Sequence, residues 1–365
     1  MKQARLMNRE EDYAKLGLKR DRIEPWEDGR RDTDARGHWE WWYFDVVLDD
    51  GRTLVVQFLQ KGLRTVNDSV GHPCVNFQIT DPDGTKHTAL PEYSIDECSW
   101  ANDHCEVNFG SNVFEGDLKT YHIHAEVEDG LGCDVTLVSS ARPYRPETGY
   151  FEFGNDYYTW LCVVPRGDVS GTVTVDGVTS EVSGRGYHDH QWGSNIYVLN
   201  WNHWVWARQA YDDYVLLLFP MTASRKYGYK EFPIVFVQDA EGNIIFQSTE
   251  GGTVELLDEY IDDKSGKPYP SKVRYTAMEN GTRLTYTLEK KDVLQSEDAM
   301  ALAPAPLKSV FKLAGMQPSY ARFLGEGEMR LELPNHEKAI ERKADLIYEF
   351  MYPGKTYKVK EPSNR

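Results

Sequence analysis

Long apolar runs are missing from this 365-residue chain: no stretch of about 18 consecutive apolar residues occurs, so no membrane-spanning helix is expected. The first residues, MKQARLMNREEDYAK, are charged throughout and lack an apolar core, which argues against a secretory signal. Cysteine is scarce. The five present, Cys74, Cys98, Cys105, Cys133 and Cys162, are odd in number and show no C-x-x-C spacing, so they read as buried reduced thiols rather than a disulfide frame or zinc knuckle. Basic residues are few beside acidic ones, 41 against 58, and the net charge of −17 argues against nucleic acid or anionic membrane surfaces as partners. No Walker or dinucleotide glycine motif and no G-x-S-x-G elbow appears, which removes the usual signs of nucleotide cofactors and serine hydrolase chemistry. The expectation is a cytoplasmic protein without metal or redox cofactor.

Aromatic residues, by contrast, are abundant at 13%, with 10 Trp and 22 Tyr, as suits β-barrels or a large aromatic-lined cavity. Period-two apolar stretches are broken by short turns at Asp49-Asp50-Gly51, Asp81-Pro82-Asp83-Gly84, Glu128-Asp129-Gly130, Asp176-Gly177, Glu241-Gly242-Asn243 and Asn280-Gly281. That recurrence predicts an antiparallel meander through both halves. Helix is confined to two candidates, Arg9 to Leu18 and Ala305 to Leu324, the latter broken near Pro318. A mass of 42.0 kDa exceeds the usual single core, so two domains are expected. The division proposed is an arm over 1–36, a first domain over 37–206 and a second over 207–360, with no sequence repeat between the halves and no Pro/Gly/Ser-rich linker.

Two dense patches carry the chemistry. Gly186-Tyr187-His188-Asp189-His190-Gln191-Trp192-Gly193 sets two imidazoles, a carboxylate and an indole between glycines, and His38-Trp39-Glu40-Trp41-Trp42-Tyr43-Phe44-Asp45 adds an imidazole, two carboxylates and five aromatic rings. On extended backbone His188, His190 and Trp192 face one way while Tyr187, Asp189 and Gln191 face the other. His38, Glu40 and Trp42 likewise share a face, with Trp39, Trp41 and Tyr43 read as core. A carboxyl among indoles has its charged form desolvated, which raises its pKa and suits it to donate a proton, and aromatic faces stabilise a developing cation. Asp189 is therefore either a proton donor or a carboxylate that closes a barrel end, and Glu40 either acts on substrate or holds an imidazole. If first and last strands of a barrel pair, Glu40, Trp42, His190 and Trp192 converge. His188 and His190 share a face and His203 offers a third imidazole for a metal, but nothing in the sequence fixes a further ligand, and no metal is expected. His122-x-His124 reads as an ordinary strand pair.

The E-W-W-Y-F-D strand and the G-x-G-Y-H-D-H-Q-W-G segment, Gly184 to Gly193, resemble the carotenoid 1,2-hydratase and AttH-like family, which also takes in kievitone hydratase and fungal Diels-Alderases. The resemblance covers mainly residues 37 to 206. It implies an all-β fold of two lipocalin-like antiparallel barrels packed together, with few short helices and an apolar ligand site. On this reading the chain is a cofactor-independent enzyme of lyase or isomerase type. It acts on an unsaturated hydrophobic small molecule, an isoprenoid, polyene or phenolic, by acid-promoted hydration, isomerisation or cyclisation. The alternatives are a pericyclase that templates a polyene cyclisation and a non-catalytic lipid or isoprenoid carrier. Asp189, His190 and Glu40 are the catalytic candidates; Trp192, Trp42, Tyr187, His188, Trp204, Tyr211, Asp213 and His38 are the candidates for binding substrate. One departure stands out. Carotenoid-type hydratases are expected to carry a Tyr-x-Asp pair on a later strand, whereas Val215-Leu216-Leu217-Leu218-Phe219-Pro220 has no acid and the nearest such pair, Tyr211-Asp212-Asp213, reads as a hairpin turn. Asp213 is the alternative donor if that turn faces the pocket.

Overall fold

The structure, a computed structural model, describes residues 3–62, 65–303, 305–334 and 336–356. Strand dominates, and the described residues include three short α-helices, Glu10–Leu16, Ala299–Leu302 and Ala305–Ala314. The chain divides into two compact units: Ala4–Tyr197 with the turn Gln238–Asn243, and Val198–Val237 with the chain from Ile244 onward.

In the first unit, strand His38–Leu48 starts a meander through Thr53–Leu59 and Cys74–Thr80 to Lys86–Ala89. A second run from Cys98–Trp100 through Asp156–Val175 ends in Val178–Ser194, which returns to pair antiparallel with His38–Leu48. The first long strand thus closes on the last. The sheet curls around its apolar face, so that Phe58 meets Phe109 and Phe114 from the other run at ring distances of 5.3 and 5.7 Å. The turn Asp176-Gly177 holds both residues at positive φ (51° and 76°), the backbone that a tight two-residue hairpin requires and that Asp and Gly tolerate. Past it, Val178–Ser194 is exposed on alternate residues at first, then buried on both faces from Gly186 to His190. Polar groups therefore lie in the interior on either side of the same strand.

The N-terminal arm belongs to this unit. Ala4–Leu6 pairs with Tyr150–Phe153, and the helix Glu10–Leu16, within the expected span, ends at Gly17 in the left-handed region. The short turn Pro25–Asp28 follows, with proline in its first turn and Glu24 and Glu27 bonding reciprocally to its free amides. Gly29 then passes so close to a neighbouring loop that a Cβ would sit 2.8 Å from Asn102 C and O and from His104 O. That close approach delivers Asp28 into the core.

The second unit repeats the plan. Trp201–Ala210, Tyr214–Ala223, Glu231–Asp239 and Ile244–Ser248 form one run, Thr253–Ile261 through Met316–Glu332 a second, and the last strand, Ile340–Gly354, returns to Trp201–Ala210. Asn280 and Gly281 form its clearest tight hairpin, again with positive φ at both. The helix expected over Ala305 to Leu324 ends at Ala314, because Gly315 adopts φ 70° and caps it. Strand begins at Met316, and Pro318 lies in an interruption of the ladder between Met316 and Ser319, where no amide donor is required.

Candidate active site

Strand closure in the first unit aligns His190 with Trp42, Trp192 with Glu40 and His188 with Phe44 across one ladder. Residues 150 apart in sequence thereby touch: His190 Nε2 lies 2.8 Å from Glu40 Oε1. Glu40 also accepts the amides of Arg31 (2.6 Å) and Asp32 (3.0 Å), so its carboxylate fastens the arm to the strand. Trp42 stacks on the His190 ring at 4.5 Å, and Trp192 approaches it at 4.6 Å.

Asp28, absent from the sequence-derived set, is the hub of this inner face. Its Oδ1 lies 3.3 Å from His190 Nδ1, and its Oδ2 lies 3.2 Å from His188 Nε2 while accepting the Tyr121 hydroxyl at 2.6 Å. His188 Nδ1 meets the Tyr43 carbonyl at 2.9 Å, so both its nitrogens face oxygen atoms. Burial works against charge on Asp28, yet the two imidazoles beside it hold its carboxyl well below the ordinary carboxylate range. For His190 burial likewise opposes the cation, but the adjacent carboxylates of Asp28 and Glu40 raise its pKa, Glu40 through a hydrogen bond and Asp28 as a close charge. Two carboxylates and two imidazoles form a compensated set with no exposed side-chain surface. Among the described residues Asp28, Cys105 and His188 could together hold a metal ion, their ligating atoms lying within 4.8 Å of one another. Burial, reinforced by Asp28, pushes the Cys105 thiol far up, so an ion there would have to displace its proton.

The opposite face centres on Asp189, which is 3% exposed. Its Oδ2 accepts from Tyr187 Oη (2.9 Å), Trp160 Nε1 (3.2 Å) and Gln191 Nε2 (3.0 Å), while Gln191 also reaches Oδ1 at 3.1 Å. Tyr158 donates to Gln191 Oε1 at 2.5 Å and fixes the amide. Burial outweighs these donors and lifts the Asp189 carboxyl to about 6. A crevice of about 10 Å³, room for one water, is lined by Trp160, Trp192, Tyr150 and Thr159 together with Glu27 of the arm and its partner Arg145.

The remaining candidates fall elsewhere. His38 ends its strand with Nδ1 2.5 Å from Asp32 Oδ1, and that carboxylate also accepts the Tyr157 hydroxyl at 2.9 Å. Trp204, Tyr211 and Asp213 belong to the second unit. Tyr211 is buried and bonds the Gly327 carbonyl at 3.3 Å, Trp204 is half-buried, and Asp213 pairs with Arg342 from a hairpin turn with its side chain 41% exposed. The second unit has its own cavity of about 940 Å³, lined by Val205, Met221, Phe232, Leu256 and Phe350, with Glu255 and Glu259 among its polar residues. His203 lines it as well; burial first, and Lys267 second, lower its pKa to about 3, which keeps the ring neutral. Tyr121 and Cys105, like Asp28, were not among the expected site residues. Their strands showed only ordinary alternation, whereas the E-P-W-E-D-G run carried a helix-start signal but no sign of where it points.

Two curled antiparallel half-barrel sheets, one with a buried acid and imidazole cluster where its first and last long strands pair, define a two-unit all-β protein of the lipocalin-like kind. The sequence profile of the AttH-like family matches residues 31–296, and the chain belongs to that family. Its fold is similar to that of an AttH protein from Nitrosomonas europaea (15% identity over 91% of this chain and 97% of the other, TM-score 0.58). It is similar also to CghA (12% identity, 92% and 97% covered, TM-score 0.60) and to kievitone hydratase from Nectria haematococca (14% identity, 92% and 94% covered, TM-score 0.55). No curated protein sequence matches it.

Proposed function

We propose that the protein is an enzyme that hydrates, isomerises or cyclises an unsaturated apolar small molecule, with Asp189 as proton donor. The observation that carries this reading is a carboxyl buried among Tyr187, Trp160 and Tyr158 and held at about 6, protonated in part near neutrality. Three donors converge on Oδ2 while Oδ1 takes only the shared amide of Gln191, so Oδ1 is the oxygen that carries the proton. In the step proposed, the Asp189 O–H bond breaks, the alkene π pair takes the proton to form a C–H bond, and the adjacent carbon becomes cationic. Water then adds to that carbon and returns a proton to the Asp189 carboxylate; loss of a neighbouring C–H proton to the same carboxylate gives isomerisation, and attack by a second alkene closes a ring and moves the cation to a new carbon, which loses a proton to the carboxylate or takes up water. The aromatic rings around the carboxyl supply π faces to the cation. His190, Glu40 and Asp28 lie on the other side of the strand and serve as the charged frame that fixes it. That the relatives of similar fold include a protein named kievitone hydratase supports the reaction class.

The second reading, a template or carrier without acid catalysis, is favoured by one observation: the 940 Å³ cavity of the second unit contains no carboxyl of the Asp189 kind. The two are separated by Asp189→Asn assayed on acyclic isoprenoid and prenylated phenolic alkenes in heavy water. Acid catalysis predicts a loss of more than about 100-fold in kcat with KM little changed, and wild-type activity that falls as pH rises through about 6. It also predicts deuterium on a former alkene carbon. Full activity of the variant with no solvent hydrogen in the product would replace the acid mechanism by the template.

A further inference from the structure

The cavity of the second unit, about 940 Å³, is large enough for a small-molecule ligand, whose sites enclose roughly 300–1,000 Å³. Its walls are mainly apolar, with Val205, Val254, Leu256 and Phe350 among them. The sheet around it is open: the edge strands Ile244–Ser248 and Thr253–Ile261 are not hydrogen-bonded to each other among the described residues, and Val254 and Leu256 come from the second of these edges. A chain of hydrogen bonds gives the wall one polar point of fixed sense. Asn202 Nδ2 donates to the Lys355 carbonyl at 3.0 Å, which turns its Oδ1 toward His203 Nδ1 at 2.9 Å. An amide oxygen only accepts, so Nδ1 carries the ring proton, and burial keeps the ring neutral, so Nε2 is an acceptor. Nε2 therefore takes the Thr222 hydroxyl proton at 3.3 Å. Thr222 lines the cavity with that proton already given and with oxygen lone pairs left to accept.

Charge narrows the ligand class further. Among the described residues the charged members of the lining are Glu231, Glu255 and Glu259, with no Lys or Arg; Glu255 meets Arg274 at 3.5 Å. Lys267, 3.8 Å from the centre of the Tyr352 ring, gives its three protons to the carbonyls of Gln317, Tyr352 and Gly354. A carboxylate placed in the cavity thus meets like charge and no counter-ion. We propose that the second unit binds an uncharged apolar alcohol, whose hydroxyl donates to Thr222 Oγ1 while its hydrocarbon body lies against the apolar walls. An ether offers only acceptors to an oxygen whose own proton is committed, and a carboxylate adds repulsion from the glutamates. All of these residues belong to the second unit, and the inference does not depend on Asp189 being catalytic.

The experiment measures binding to the full chain of three probes that share one hydrocarbon body, all-trans-retinol, its methyl ether and retinoic acid, by quenching of tryptophan fluorescence. Retinol should bind more tightly than the ether by roughly two- to tenfold, the worth of one hydrogen bond, and more tightly than the acid by more than about tenfold. Thr222→Val keeps the shape and should remove the preference for retinol over the ether, and Thr222→Ser should keep it. Leu256→Trp, which fills the cavity from its open edge, should weaken all three probes together. Absence of retinol binding, ether or acid bound as tightly as retinol, a preference that survives Thr222→Val, or retinol affinity untouched by Leu256→Trp would overturn the proposal. So would retinol affinity lost in Asp189→Asn, which would place the ligand in the first unit.

Discussion

Asp28 and Asp189 are buried carboxyls near one strand with opposite titration behaviour, and the difference lies in what faces each. Asp28 meets two imidazoles, so its charge is compensated, whereas Asp189 meets only neutral donors from Tyr187, Trp160 and Gln191, so desolvation prevails. Asp28→Asn should therefore be among the most damaging single substitutions in the first unit. It keeps the shape but strands two imidazoles without their shared counter-charge, and breaking a buried pair in this way costs about 3–5 kcal/mol. Chemical denaturation of the variant at neutral pH is the measurement; a loss below about 1 kcal/mol would mean that the imidazoles are neutral and the hub is an ordinary hydrogen-bond acceptor.

The element that brings Asp28 to its place is the turn Pro25–Asp28, and its geometry depends on Gly29. A methyl group there meets backbone atoms of Asn102 and His104 at 2.8 Å, so Gly29→Ala must push the turn or the loop aside. The expected cost is about 1–3 kcal/mol, with the indole fluorescence of Trp42, whose Nε1 bonds the Asp28 carbonyl at 2.9 Å, shifting as the hub loosens. An unchanged melting temperature together with an unchanged spectrum would show that the loop yields freely. Much of the strand framework was legible beforehand, since Asp-Gly and Asn-Gly turns between alternating segments specify hairpins locally, and the pairing of His38–Leu48 with Val178–Ser194 follows from closing a meander. The convergence of Glu40 with His190 came with that closure. What stayed hidden was the arm: a 3₁₀ turn in a polar segment has no periodicity to announce its depth, and Asp28 looks like any surface acid until Gly29 shows how close the backbone runs. The helix expected as far as Leu324, with its break near Pro318, stops already at Ala314 because Gly315 is its terminating cap.

At the scale of the whole molecule, both units follow one plan without sharing sequence. In each the first long strand closes on the last, and in each a buried lysine donates to three backbone carbonyls: Lys61 to Asp34, Ala35 and Asp68, and Lys267 to Gln317, Tyr352 and Gly354. An ammonium has three protons to give, so each lysine ties together carbonyls that would otherwise be left unpaired in the interior. A fold held by buried charges of this kind answers to pH through the groups that titrate. Asp12, bonded to Arg5 and held at about 2, and Asp28, held well below its ordinary value, contribute stability that is present above about 4 and lost as pH falls through their folded values. His190, with its pKa raised by Asp28 and Glu40, contributes stability that is complete below about 6.5 and lost as pH rises through its folded value. These groups favour the window between about pH 4 and 6.5, while His203, lowered to about 3, and Lys267, lowered to about 7, favour the folded state increasingly as pH rises from those values toward their unfolded ones. Asp189 runs against the other carboxylates: raised to about 6, it favours the folded state only at low pH, and its ionisation removes about 3 kcal/mol as pH rises from about 4 through 6. Asp189→Asn cancels that loss, so the variant should gain stability relative to the wild type between pH 4 and 7 in paired thermal melts. A difference between the two proteins that stays constant across that range would mean that Asp189 titrates as it does in the unfolded chain, and would remove the physical basis for its role as an acid.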